Sequence, residues 1–186
     1  ARGLYENVLA AQPALTVNTF HGWFLQLVDA APLSANLAGA TLAGLAFTPK
    51  AFACGLDIVG PSNLFTLLKT IPPYWESFKQ QAYRRMGNPE TPEGQALLKE
   101  RSPLYSAEKI ERPLLIGQGA NDPRVNIAES DQIVDAMKAR NIPVTYVVFP
   151  DEGHGFARPA NNIAFNAVTE NFLARCLGGR AEPIGG

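Results

Sequence analysis

The feature that most constrains the fold is an alternation of strand-forming and helix-forming patterns in the second half of the chain. Residues 114–118 and 144–149 are apolar and β-prone, and residues 128–140 between them have apolar side chains at helical spacing. A further buried strand is predicted at residues 55–59, and a final helix at residues 160–177. This order predicts the α/β class: a mostly parallel sheet with helices on both faces.

The remaining segments fit around this pattern. Residues 37–47 are rich in Ala, Gly and Leu and suit a helix packed closely on a sheet, and residues 62–110 read as short helices between two strands. The expected organisation is one partial α/β domain over residues 1–179, with residues 1–38 of uncertain register. Residues 180–186 are expected to form a disordered tail.

Composition and charge argue against several classes of function. The net charge of −1 and the absence of a polybasic run give no reason to expect nucleic-acid binding. The sequence contains no run of 18 apolar residues, so a membrane span is not predicted. It also contains no phosphate-binding, flavin, nicotinamide or metal-ligand pattern, so no cofactor is predicted. Cys54 and Cys176 are expected to be small buried hydrophobes rather than a disulfide. The sequence does not distinguish a cytoplasmic from a periplasmic location.

Asp122 and His154 each follow a predicted strand, and 154 − 122 = 32 residues separate them. That spacing holds one helix and one strand, so both loops open at the same edge of a parallel sheet, where reactive groups gather. A histidine that accepts a serine proton needs a carboxylate on its other ring nitrogen. The acid precedes the histidine in α/β-hydrolases, with the serine upstream of both.

Each residue has a plainer interpretation when it is taken alone. An aspartate in a turn after a strand is commonly an Asx-turn residue, and a loop histidine can be a surface residue. Gly153 and Gly155 flank His154, however, and glycines let a backbone turn tightly in a crowded site. The pair, each on its own strand end, favours the catalytic interpretation.

Four segments resemble the prolyl oligopeptidase family of serine peptidases, and two of them, residues 41–49 and 55–64, are similar to the segment just after its nucleophile elbow. Residues 102–125, which include Gly119-Ala120-Asn121-Asp122-Pro123, are similar to its acid-bearing region, and residues 150–156 are similar to its histidine loop. The resemblance covers about residues 39–179 and is closest to dipeptidyl or acylaminoacyl peptidases. It implies an α/β-hydrolase domain, a Ser-Asp-His triad acting on peptide or acyl-peptide substrates, and an N-terminal β-propeller in the full protein.

The expected nucleophile is the main departure from the family. Alignment with the family's glycine-rich serine elbow puts Ala35 at the serine position, with Ser34 one residue away and Asn36 a candidate oxyanion residue. His21 is similar to the oxyanion-loop histidine, but the separation of 35 − 22 = 13 positions from Gly22 to Ala35 is too short for the strand and helices expected there. Either a segment is deleted, or residues 1–38 do not report the true sequence.

The resemblance also suggests a substrate pocket lined by Trp75, Tyr74 and Val125, although core packing is the plainer interpretation of each. Two alternatives to the peptidase stay open: an esterase on the same fold, and a catalytically inactive α/β-hydrolase-like chain that lacks the nucleophile. A partial sheet would expose apolar edges and faces, so we expect association with another segment or homo-oligomerisation.

Overall fold

A computed structural model describes residues 40–71, 74 and 76–184, which belong to one compact unit. Along the chain the elements are α1 (Ala40–Phe47), β1 (Gly55–Ile58), α2 (Leu64–Lys69), α3 (Glu76–Met86), α4 (Pro92–Arg101), a kinked 3₁₀ segment (Pro103–Lys109), β2 (Leu114–Gly119), α5 (Ile127–Lys138), β3 (Val144–Phe149) and α6 (Pro159–Leu177). The predicted strands and helices of this part of the chain are confirmed, with boundaries that differ by at most three residues.

The three described strands form a parallel sheet in the order β1-β2-β3. Leu114 of β2 pairs with Gly55 on one side and with Val144 on the other. Every residue of β2 is buried, as expected for a central strand with neighbours on both sides. The ends of β2 and β3 therefore lie side by side, and so do the loops that follow them.

Helices cover both faces of this sheet. On one face, Leu114 and Ile116 pack against Leu42 and Leu45 of α1 and Ile133 of α5. On the other face, Leu115 and Phe149 pack against Phe165 of α6. Because successive side chains of a strand point to opposite faces, the near-continuous apolar sequence of β2 supplies both cores.

The segment between β1 and β2 forms a small core of its own. Leu64 and Leu68 of α2 pack with Ala82 of α3 and Leu98 of α4. The side chain of Thr91 accepts a hydrogen bond from Gly94 N–H at the start of α4, and Asn63 caps α2 in the same way. These helices stand apart from the main sheet cores, as the break in the sequence alternation predicts.

A buried carboxylate joins this segment to α5. Glu129 is 1% exposed, and its Oε2 accepts hydrogen bonds from the backbone N–H groups of Ser62, at 3.1 Å, and Asn63, at 2.8 Å. Its Oε1 accepts a short hydrogen bond from the Thr66 hydroxyl. Burial raises the pKa of Glu129 despite these hydrogen bonds, so the residue ties α5 to the start of α2 at a desolvation cost.

The expectation for the two cysteines is wrong. Cys54 and Cys176 are both partly exposed, their Cα atoms lie 6.2 Å apart, and their sulfurs form a disulfide. The start of β1 meets the end of α6 because Leu56 and Phe172 pack in the same cluster on one face of the sheet. Packing between residues so far apart in the chain is not visible in the local sequence.

The tail has no helix or strand over residues 180–184. The backbone of Glu182 nevertheless contacts α6: its N–H donates to Glu170, and its carbonyl accepts from the Asn171 amide. Within the residues that the structure describes, no helix is long and apolar enough to span a membrane.

Asp57 lies in β1 with 4% exposure and accepts a hydrogen bond from Gly60 N–H at 3.0 Å. Burial, opposed in part by that hydrogen bond, raises its pKa from 3.8 to about 6. Between these two pH values the unfolded chain has released a proton that the folded chain still holds. The free energy of unfolding therefore falls as pH rises through this window.

We predict that Asp57→Asn removes this pH dependence, because the amide keeps an oxygen for Gly60 and does not ionise. The stability of the variant relative to the wild type should grow by about 2 kcal/mol between about pH 4 and pH 7, because one pKa unit is worth about 1.36 kcal/mol and part of the effect is already present at pH 4. Urea unfolding at several pH values measures the difference. Asp135→Asn, on the exposed face of α5, is the control. If the free energies of unfolding of Asp57→Asn and the wild type differ by the same amount at every pH, the prediction is wrong.

Candidate active site

The acid of the site stands just past the end of β2. The Asp122 N–H donates to the Gly119 carbonyl at 3.3 Å, which turns the chain back across the strand end. Oδ1 of Asp122 accepts hydrogen bonds from the N–H groups of Arg124, at 2.8 Å, and Val125, at 2.9 Å. The Asp122 side chain is fully buried, so these backbone donors fix the direction of the carboxylate.

The histidine lies in the loop between β3 and α6. Nδ1 of His154 is 2.7 Å from Oδ2 of Asp122, a distance typical of a charge-assisted hydrogen bond. The His154 side chain is 31% exposed, whereas the Asp122 side chain is closed off from solvent. A proton on Nδ1 shared with the carboxylate leaves Nε2 as the acceptor, which is the tautomer that a general base needs.

Three further hydrogen bonds join the two loops. The N–H groups of Ala120 and Asn121 donate to the carbonyls of Phe149, at 2.9 Å, and Glu152, at 3.0 Å. The Asn121 side chain donates to the Pro150 carbonyl at 2.6 Å. The parallel pairing of β2 and β3 thus continues into the loops, and the contact between the acid and the histidine rests on this extended ladder.

Glu152 is a residue of the site that the sequence analysis missed. It is 4% exposed and accepts hydrogen bonds from the N–H groups of Ala157, at 3.1 Å, and Arg158, at 2.8 Å, and from the Asn161 amide, at 2.9 Å. Burial acts to raise its pKa, but these donors outweigh that effect and hold the pKa below its usual value. Its place two residues before the histidine was the only available signal.

Gly119 marks the closest approach of the two loops. A Cβ at this position would lie 2.1 Å from the carbonyl oxygen of Gly153 and 2.7 Å from that of Glu152. No side chain fits there. The glycine at the end of β2 therefore allows the histidine loop to reach the acid.

Of the remaining candidates, the structure places Val125 beside the acid and Tyr74 at the surface. Val125 is 5% exposed and contacts Asp122 through its backbone, whereas Tyr74 is 66% exposed. Ala35, Ser34, Asn36, His21 and Trp75 lie outside the described residues. Among the residues that the structure describes, no three His, Cys, Asp or Glu side chains form a cluster that could hold a metal ion.

Sequence comparison connects the described residues to known peptidases. A sequence profile of the prolyl oligopeptidase family matches residues 38–180. The chain is 75% identical over 146 residues to dipeptidyl aminopeptidase BIII of Pseudoxanthomonas mexicana, which is 78% of this chain and 21% of that protein. It is 50% identical over 145 residues to dipeptidyl peptidase family member 6 of Caenorhabditis elegans, covering 77% of this chain and 20% of that protein.

Structural comparison gives the same kind of neighbour. A puromycin-hydrolyzing peptidase of Mycobacterium tuberculosis superposes with a TM-score of 0.70 and 25% identity over 89% of this chain and 25% of that chain. An acylaminoacyl peptidase of Pyrococcus horikoshii gives a TM-score of 0.65 at 19% identity over 79% of this chain and 24% of that one, a likeness of fold. The chain therefore spans only about a fifth to a quarter of the length of these proteins.

We predict that Gly119→Ala lowers the free energy of unfolding by about 1–3 kcal/mol, the usual cost of forcing a methyl group into a filled space. Gly153→Ala is the matched control, because the nearest atom to an added Cβ there is 3.9 Å away. Urea unfolding of both variants measures the effect. Equal stability of the two variants would show that the loops do not meet as closely as described.

Proposed function

Because this chain belongs to the prolyl oligopeptidase family and has its α/β-hydrolase fold, we propose that it forms part of a serine-type peptidase that works through an acyl-enzyme. The observation that carries the proposal is the 2.7 Å contact between Nδ1 of His154 and the buried Oδ2 of Asp122. The chain matches about a fifth of its curated relatives, so the activity proposed is that of the full-length protein.

In the proposed reaction, Nε2 of His154 takes the proton of a serine hydroxyl as that oxygen attacks the carbonyl carbon of the substrate. Asp122 holds the imidazole in the required tautomer and stabilises the imidazolium that forms. His154 then gives the proton to the leaving amine, which departs as the acyl-enzyme forms. Water, activated by the same histidine, hydrolyses the acyl-enzyme and regenerates the serine.

The proposal requires a hydroxyl near Nε2 of His154. Ala35 stands where the family resemblance expects the serine, and Ser34 is the adjacent hydroxyl. A serine at or beside this position in the full-length protein would supply the nucleophile. If that position truly carries alanine, the second candidate function applies: an inactive α/β-hydrolase domain that retains the acid and the histidine.

The substrate class that we propose is a peptide with a free N-terminus, cleaved to release a dipeptide. Its support is that the relatives 75% and 50% identical to this chain are named as a dipeptidyl aminopeptidase and a dipeptidyl peptidase family member. The acylamino-acid-releasing enzymes match over shorter stretches, for example 36% identity over 58 residues for the Arabidopsis thaliana protein. Acyl-peptides and esters are the two substrate classes that should be compared with dipeptide-releasing substrates.

We predict that His154→Ala and Asp122→Asn in the full-length protein each lower kcat for a dipeptidyl chromogenic substrate by roughly 10⁴-fold, because both disrupt the base. Parallel assays with an acyl-aminoacyl and an ester substrate compare the three classes. Asp135→Asn, an exposed aspartate on α5, is the control for loss of charge. Undiminished turnover by His154→Ala would reject the catalytic assignment.

We also predict that a fluorophosphonate probe labels one serine of the folded full-length protein, since such probes react with hydroxyls activated by a neighbouring base. Peptide mapping of the adduct identifies the serine. Labelling should fall sharply in the His154→Ala variant. A folded protein that forms no adduct would favour the inactive alternative over the peptidase.

A further inference from the structure

We infer that Glu152 is a positioning residue for His154, which it holds against Asp122 by closing the histidine loop from both ends. The inference deepens the proposed function and rests on it. Glu152 acts only on backbone and amide donors of its own loop and of α6. It is therefore not a catalytic residue, and its effect on the reaction passes through the imidazole.

The side chain of Glu152 forms the first closure. Its Oε2 and Oε1 accept the N–H groups of Ala157 and Arg158, five and six residues further along the chain. His154 lies inside the ring of residues 152–158 that these hydrogen bonds close. Gly155, with φ +107°, makes the tight turn within that ring at a backbone angle that few other residues adopt.

The backbone of Glu152 forms the second closure. Its carbonyl accepts the N–H of Asn121, the residue directly before the acid, at 3.0 Å. One residue is thus bonded to the acid loop through its main chain and to the start of α6 through its carboxylate. The distance between the acid and the histidine is set by these two attachments rather than by the side-chain contact alone.

The surroundings of Glu152 favour the ionised form of its carboxylate. Glu152 is 4% exposed, and three N–H donors surround its carboxylate. The pKa of Glu152 lies below its ordinary value because these donors outweigh the opposing effect of burial. The Glu152 carboxylate is therefore charged at neutral pH. Its hydrogen bonds are stronger for that reason, because hydrogen bonds to charged groups are stronger than those between neutral ones.

Asp151 offers a matched comparison one residue away. Its carboxylate also accepts from the Asn161 amide, at 3.0 Å, and pairs with the Arg158 side chain at 3.1 Å. That pair is solvent-exposed, and neither of these bonds reaches the backbone of the loop. Exposed pairs contribute little, so loss of the Asp151 charge should leave His154 in place.

The test uses Glu152→Ala, Glu152→Gln and Asp151→Asn in the full-length protein. For Glu152→Ala we expect kcat per folded molecule to fall about 100-fold, the cost of a misplacement of about 1 Å, with KM unchanged. Glu152→Gln keeps one acceptor oxygen and should recover part of the loss. Asp151→Asn should match the wild type in kcat and KM.

A second readout does not depend on activity. A histidine Nδ1–H bonded to a carboxylate gives a far-downfield proton NMR signal, which His154→Ala assigns by its loss. We expect Glu152→Ala to weaken or abolish this signal and Asp151→Asn to preserve it. If Glu152→Ala does not fold, the same comparison is made with Glu152→Gln and with Asn161→Ala. The second of these removes one hydrogen-bond donor to the Glu152 carboxylate.

These experiments distinguish failure of the proposed function from failure of the positioning role of Glu152. Full activity in His154→Ala would reject the proposed function. If His154→Ala is inactive while the Glu152 variants keep wild-type kcat and the downfield signal, the positioning role is wrong and the function stands. A raised KM with unchanged kcat would also overturn the inference, because it would mean that Glu152 acts on substrate binding.

Discussion

The candidate active site depends on one hydrogen bond between two loops that are far apart in sequence. Oδ2 of Asp122 and Nδ1 of His154 meet at 2.7 Å because β2 and β3 pair in parallel and end side by side. The ladder of backbone hydrogen bonds continues past both strands, and Gly119 leaves room for the loops to touch. The buried carboxylate is thus presented to an imidazole that stays partly open to solvent, the arrangement that a general base requires.

Much of this could be predicted from the sequence, because the relevant signals are local. The β-branched run of β3, the amphipathic α5 and the turn after β2 each carry their own signature, and the rule for parallel sheets brings their ends together. The two interpretations of Asp122 prove compatible. Its Oδ1 makes the Asx-type turn with Arg124 and Val125, while its Oδ2 faces His154.

The features that the sequence did not predict are all long-range or depend on burial. Glu129 and Glu152 look like surface acids in the sequence, and only the fold shows them buried among backbone donors. Cys54 and Cys176 are joined because α6 packs back against β1. Local composition carries no information about such contacts, and a buried carboxylate becomes recognisable only when its donors are known.

A crystal structure of the full-length protein after reaction with a dipeptidyl phosphonate would test the pairing of His154 with Asp122 and a serine nucleophile. We predict a covalent bond from phosphorus to a serine oxygen, with Nε2 of His154 within hydrogen-bonding distance of the adduct and Nδ1 bonded to Asp122. An imidazole turned away from Asp122, or an adduct on a residue remote from His154, would contradict it.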